Sequence, residues 1–183
     1  MEACLHYRDK LMVMLLRETG LRRGELLGLH LVDVQDVDVT GRLRVVRRHN
    51  PNGAWVKGTE CVVPILHNRC AVQEMLRLYL LEEYPPAAER LGMLFVSLKG
   101  EQRGQPMSLV RLNKLFEELH RRTGIQAHPH LFRHTFATRL LQKGYPYVQP
   151  LLGHRSISTT KDIYSHVLDE MSLESFMDGK EEQ

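Results

Sequence analysis

The sequence predicts a mainly α-helical domain carrying a small antiparallel β-sheet, an α+β fold, and three observations predict it. Apolar residues recur at helical spacing through most of the chain, while between residues 32 and 65 the period shortens around a strong turn signal. The 183 residues, 43% of them hydrophobic, make about one domain with enough apolar material for a core. No internal repeat or low-complexity tract interrupts this pattern.

Residues 8–18 place Leu11, Met12, Leu15 and Leu16 on one helical stripe, and Gly20 supplies the stop. A second, short helix is expected over 23–30. The period then changes. Val32, Val34, Val37 and Val39 lead into Leu43, Val45 and Val46, and Asn50-Pro51-Asn52-Gly53 is a turn sequence ahead of residues 54–57 and 61–65. This region is expected to form the sheet. Helical spacing returns over 68–83, where Val72, Met75, Leu76, Tyr79 and Leu80 share a side, and Pro85-Pro86 closes it because proline lacks the N–H a helix needs. Residues 93–96 fit a short strand and 99–106 a polar loop. Ser108 can accept a hydrogen bond from the first turn of a helix running to Thr123, with Gly124 placed to cap its end. Further helices are expected over 130–143, 148–152 and 159–167, then a short amphipathic helix over 168–176 and a frayed acidic end.

The formal charge of +3 is only mildly basic, but it is unevenly spread. Six acids against Lys180 give residues 168–183 a charge of −5 and leave +8 on the preceding 167 residues. No apolar run reaches membrane-spanning length, and Leu11 to Leu16 is too short and too poorly flanked for a signal peptide, so a cytoplasmic chain is expected. Cys4, Cys61 and Cys70 are odd in number and lack C-x-x-C spacing, which argues for reduced structural thiols over a disulfide framework or a cysteine zinc site.

Three clusters carry chemistry. Thr19-Gly20-Leu21-Arg22-Arg23-Gly24-Glu25-Leu26 sets an arginine just past a helix-ending glycine, where it can be aimed at an anion; taken alone, a surface arginine explains it as well. In His128-Pro129-His130-Leu131-Phe132-Arg133-His134, positions 130, 133 and 134 fall on one face of a helix, so His130 and Arg133 can converge on one ligand with His134 packed beneath. His130 and His134 also have zinc spacing. The carboxylate of a hydrolytic zinc helix is missing, however, and Arg133 beside a cation would be repulsive, so no metal is expected. Leu152-Gly153-His154 and Thr159-Thr160-Lys161-Asp162-Ile163-Tyr164 add another histidine and a tyrosine.

In this order, T-G-L-R-x-x-E-L, H-x-x-R-H, L-G-H and T-T-x-x-x-Y resemble the catalytic domain of the tyrosine recombinases, the phage integrase family, from about Leu5 to Val167. The resemblance implies that family's DNA breaking-rejoining fold. It implies Arg22 and Arg133 as catalytic arginines, His130 and His154 as active-site histidines, Tyr164 as nucleophile and Glu25 as support for the first arginine. The family's hairpin lysine precedes a V-P-hydrophobic motif. Val62-Val63-Pro64-Ile65 supplies that motif here, and Lys57 lies seven residues before the proline, where many relatives have eight.

The implied reaction is attack of the tyrosine oxygen on a DNA phosphodiester, giving a 3′-phosphotyrosine bond and a free 5′-hydroxyl that later attacks a partner strand. The covalent bond stores the energy, so neither ATP nor another cofactor is required. A phenol of pKa about 10 needs a proton acceptor at neutral pH; this role falls to His130. Arg22 and Arg133 suit the phosphoryl oxygens of the transition state. His154 would hydrogen-bond the phosphate, and Lys57 would protonate the departing 5′-oxygen. His128 and His134 read as structural, with His134 bonding backbone or phosphate. Arg42, Arg44, Arg47 and Arg48 either track DNA phosphates or line a solvated sheet face, and Trp55 either touches DNA or is partly buried.

The expected organisation is a catalytic domain over 1–167 and a C-terminal helix with an acidic tail over 168–183, in which Leu168, Met171, Leu173 and Phe176 dock in cis or in trans. The family's N-terminal core-DNA-binding domain is expected to be absent. The implied partners are double-stranded DNA and further recombinase protomers assembled on it, a tetramer for the full-length enzyme, with a monomer expected without DNA and no membrane partner. A type IB topoisomerase-like enzyme or a non-catalytic DNA-binding relative is the alternative.

Overall fold

The structure is a computed structural model that describes residues 3–142. His154, Tyr164, Pro150, the helices expected over 148–152 and 159–167, and the segment over 168–176 lie outside the described residues.

Helix α1 (Tyr7–Thr19) forms the centre, packing against α4 (Arg69–Leu78) and α6 (Pro129–Gln142). Its Leu11, Met12, Leu15 and Leu16 are fully buried, and each contributes about 1.5–3 kcal/mol relative to exposure. The first turn of α1 is closed from a distance: Glu83 accepts from the Arg8 N–H at 3.0 Å and from His6 Nδ1 at 2.9 Å. At the other end Gly20 adopts φ +63° and donates its N–H to Leu16 O, a left-handed cap that other residues take only with strain.

After α2 (Arg23–Leu27), a 3₁₀ turn over Leu31–Asp33 and the single-turn α3 (Val37–Thr40), strand β1 (Arg42–Val45) pairs antiparallel with β2 (Cys61–Pro64). The register sets Arg42 opposite Pro64 and Val45 opposite Cys61. In β1, Leu43 and Val45 face the core while Arg42 and Arg44 are exposed, the alternation expected of a sheet with one face covered. Helix α5 (Leu109–Thr123) begins as expected, with Ser108 Oγ accepting from the Arg111 N–H, and ends at Gly124 in the left-handed region.

Several expected elements change form. The helix expected over 23–30 stops at Leu27, because the chain turns at Gly28 and His30 goes extended to bridge Met93. Val32, Val37 and Val39 are helical and Val34 lies in a bend, so none of the four is in a strand: in the turn of α3, two residues apart is no longer the same face, and Val37 is buried while Val39 is 80% exposed. Residues 54–57 cross the loop without joining the sheet, which has two strands among the described residues. The helix expected over 68–83 is α-helical to Leu78 and then widens into a π turn over Tyr79–Glu83. Residues 93–96 are wholly buried but make only the isolated bridges His30 to Met93 and Val96 to Pro106. Two tyrosines hold this segment in place. Tyr79 donates to Leu94 O at 2.8 Å and Tyr84 to Met93 O at 2.7 Å, and burial pushes the Tyr84 phenol up to about 12.

Candidate active site

Gly20 joins three parts of the site. Besides ending α1, it lies so close to α6 that a Cβ on it would sit 2.6 Å from Phe136 Cδ1, and its carbonyl accepts from Arg133 Nη1 at 2.8 Å. Two residues on, Arg22 is the extended N-cap of α2. Glu25, buried to 7% exposure, receives the Arg22 N–H on Oε2 and Arg22 Nη1 on Oε1, both at 2.8 Å. The same Oε2 lies 4.0 Å from Arg133 Nη1. One carboxylate therefore sets both arginines. The T-G-L-R-x-x-E-L segment folds this way because the third residue of a helix can reach back to its N-cap, and an acid there meets orphan N–H groups.

Arg133 is a buried cation at 9% exposure. Burial, then the nearby charge of Arg22, pulls its guanidinium down to about 10, with Glu25 and Cys61 opposing. It remains charged at neutral pH. On α6 the inward stripe is Pro129, Arg133, Phe136, Ala137 and Leu140, so Arg133 takes a core position while His130 and His134 flank it on the outside. His134 is thus exposed and not packed beneath the site as expected, because it falls one position off this stripe. His130 is also exposed. Partial enclosure, then the charge of Arg23, holds its imidazole below 6.5, so the ring is neutral and able to accept a proton at pH 7.

The loop between the strands supplies the other wall. Thr19, Gly20, Leu21, Arg22, Glu25 and Arg133 face Gly58, Thr59, Cys61 and Val63 across a cleft of about 10 Å³. That is roughly one water's worth of space, too little to engulf a ligand. Lys57 is exposed, one residue before this wall. Cys61 lies among the charges, and burial, then Glu25, pushes its thiol up. Cys4, Cys61 and Cys70 are all free thiols.

The four arginines of the sheet region divide. Arg48 forks onto buried Asp33 at 2.6 and 2.8 Å, Arg47 donates to Gly58 O, and Arg44 donates to Val32 O at 2.8 Å. Among the described residues, Arg42 is the one of the four whose side chain makes no hydrogen bond or ion pair. The side chains of the first three are held by the protein itself. Trp55 is 52% exposed and tilts toward the His49 ring with centroids 6.1 Å apart.

The sequence profile of the phage integrase family matches residues 1–171. This chain belongs to the phage integrase family. It is 35% identical over 171 residues to transposase A from transposon Tn554 of Staphylococcus aureus, covering 92% of this chain and 46% of that protein. It is 36% identical over 163 residues to tyrosine recombinase XerC of Pseudomonas entomophila, covering 87% and 48%. Among solved structures, a XerA recombinase superposes with a TM-score of 0.66 at 27% identity, covering 92% of this chain and 56% of that one. A XerH recombinase bound to its difH substrate, in a pre-cleavage complex, gives 0.60 at 26%, covering 91% and 44%. The chain spans about half the length of the curated relatives it matches.

In this phage integrase family domain, Arg22, Glu25 and Arg133 are brought together, His130 stands on the same helix as Arg133, and Lys57 lies at the cleft's edge. His154 and Tyr164 are outside the described residues. Sequence reasoning missed Asn50, Asn52, Gly24 and Asp33, which hold the strand-connecting loop. Asn-Pro-Asn-Gly signalled the turn, but nothing in it signalled where the two amides reach.

Proposed function

We propose that this chain is the catalytic portion of a site-specific tyrosine recombinase, residues 1–167 forming the cleavage domain and 168–183 a docking helix and acidic tail. The observation that carries this is the pair of arginines, 111 positions apart in sequence, set by one buried carboxylate at the mouth of a cleft lined by the hairpin loop.

Two forked cations held in place before substrate arrives suit the non-bridging oxygens of a phosphodiester as charge builds on them, without reorganisation at the moment of reaction. Tyr164 Oη attacks phosphorus, and its proton passes to His130, which is neutral at pH 7. The P–O5′ bond breaks as Lys57 gives a proton to the departing oxygen. His154 hydrogen-bonds the phosphate, His134 supports the site from the edge of α6, and Arg42 is the sheet arginine left to meet the DNA backbone. Rejoining runs these steps backwards. Strand exchange joins this chain with further protomers on double-stranded DNA, and without DNA it is largely monomeric.

The test is a suicide DNA nicked beside the cleavage position, so that the short 5′-hydroxyl fragment diffuses away and the adduct accumulates. Wild-type protein is expected to form a covalent 3′-linked adduct and Tyr164→Phe none. An adduct that persists in Tyr164→Phe would overturn the assignment, and supercoil relaxation without exchange between two sites would redirect it to a type IB topoisomerase-like enzyme.

A further inference from the structure

The loop that carries Lys57 is tied more tightly around its turn than a hairpin requires. Asn52 Nδ2 donates to Leu27 O at 3.0 Å, at the end of α2, and to Met107 O at 2.9 Å, just ahead of α5. Asn52 Oδ1 accepts the Ala54 N–H at 3.0 Å. Asn50 completes the pattern: Nδ2 donates to Ala54 O at 3.1 Å, and Oδ1 meets His30 Nε2 at 2.9 Å. Both backbone groups of buried Ala54 are thereby fixed by side-chain amides. One residue further, the Trp55 carbonyl lies against Gly24 so closely that a Cβ there would be 2.5 Å from the oxygen. Gly24 sits in α2, between Arg22 and Glu25. On the far side of Lys57, Arg47 Nε donates to Gly58 O at 2.9 Å and the Arg47 N–H to Glu60 Oε1 at 2.9 Å.

Lys57 therefore stands between two clamps, Ala54–Trp55 on one side and Gly58 on the other. A lysine is a point charge on a flexible stem, and its use as an acid depends on where its backbone is held. We propose that Asn52 is a positioning residue for the proton-donating lysine: by tying Leu27 O, Met107 O and the Ala54 N–H together, it presents Lys57 at the arginine cleft before DNA binds. No other single side chain in the loop bonds both the end of α2 and the approach to α5. Losing it would remove the loop's hydrogen bond to the end of α2, the helix that Arg22 caps. This inference rests on the recombinase reading, in which Lys57 protonates the 5′-oxygen.

The experiment compares wild type, Asn52→Ala and Lys57→Ala on two DNAs: an ordinary phosphodiester, and one whose 5′-bridging oxygen at the cleavage position is sulfur. A thiolate leaves without a proton, so the sulfur substrate bypasses the acid while still needing the nucleophile, the arginines and the fold. Misplacing a catalytic group by about 1 Å costs on the order of 100-fold, so Asn52→Ala is expected to cleave ordinary DNA about 10–100-fold more slowly and the sulfur DNA at close to the wild-type rate, as Lys57→Ala does. Equal loss on both DNAs, or no loss on ordinary DNA, overturns the inference.

Asn52→Asp keeps the acceptor for Ala54 while removing both donors. It is expected to give the same split should Asn52→Ala fold poorly by circular dichroism. A second readout needs no DNA. Trp55 is the only tryptophan in the chain, three residues beyond Asn52, and acrylamide should quench its fluorescence more strongly in the variants. Unchanged quenching overturns the clamp. Wild-type protein that cleaves neither DNA overturns the functional reading instead, and the quenching contrast still decides whether Asn52 holds the loop.

Discussion

Replacing Glu25 by Gln tests the idea that one carboxylate organises the site. The variant keeps an oxygen to accept the Arg22 N–H, so the helix cap survives while the charge and the acceptor for Arg22 Nη1 are lost. At 4.0 Å from Arg133 Nη1, the carboxylate supplies an attraction of about 4 kcal/mol in an effective dielectric of about 20. Arg22 is closer still, at 2.8 Å. Without Glu25, two guanidinium groups face each other, one of them buried and already pulled down to about 10 by burial and by its neighbour. Removing one partner of a buried pair costs about 3–5 kcal/mol, because the other charge is left uncompensated. For a domain of this size that corresponds to a fall in Tm of about 6–20 °C. Urea denaturation gives the free energy directly, and a cycle with Arg133→Met gives the coupling, expected at about 1–3 kcal/mol. A loss below about 1 kcal/mol, or additivity within about 0.5 kcal/mol, would refute the shared-carboxylate account.

Two predictions concern the chemistry. Arg133→Lys keeps a charge but loses the fork that bonds Gly20 O while presenting other N–H groups, so the yield of covalent adduct on nicked DNA should fall about 100- to 1,000-fold; a fall under about 10-fold would count against Arg133 as a phosphate donor. For His130 the sign follows from its lowered pKa: the ring is neutral at pH 7 and gains a proton only as pH falls through a value below 6.5. Single-turnover cleavage should accordingly be level on that account near neutrality and decline on the acid side of 6.5, and a decline centred above 7 would remove His130 as the proton acceptor.

Legibility in the sequence tracks the distance over which each interaction closes. Gly20, Arg22 and Glu25 lie within six positions, and their cap and ion pair follow from local helix chemistry. Ser108 and Gly124 bound α5 for the same reason. The meeting of Arg133 with Gly20 spans 113 positions; only the order of motifs, through family resemblance, pointed to it. The Asn50–Gly53 turn forms as expected, with the Gly53 N–H on Asn50 O at 3.0 Å. The amide of Asn52 instead bonds residues 25 and 55 positions away, which no turn preference encodes. The sheet arginines show the limit from the other side. Arg42 and Arg44 do line the exposed face of β1, one of the two readings open for all four, but the fork of Arg48 onto Asp33 depends on how the 3₁₀ turn over Leu31–Asp33 packs, in a region whose valines read as strand.

Arg133 and the core are not separable in this fold. Arg133 occupies an inward position of α6, and the atom it bonds, Gly20 O, belongs to the residue that ends α1 and receives Phe136 from the same helix as Arg133. A side chain at position 20 would have to displace Phe136 and adopt a left-handed backbone, and either adjustment moves the carbonyl that Arg133 depends on. Packing of α6 on α1 thus helps to set the arginine's position, and preorganised charge stabilisation requires placement within about 0.5 Å. The energetic cost of burying that cation is offset by Gly20 O and Glu25, both near the N-terminus of α2. Arg133 bonds Gly20 O at the end of α1 and Arg22 caps α2 two residues on, so the contact that builds the core also relates the two arginines to each other.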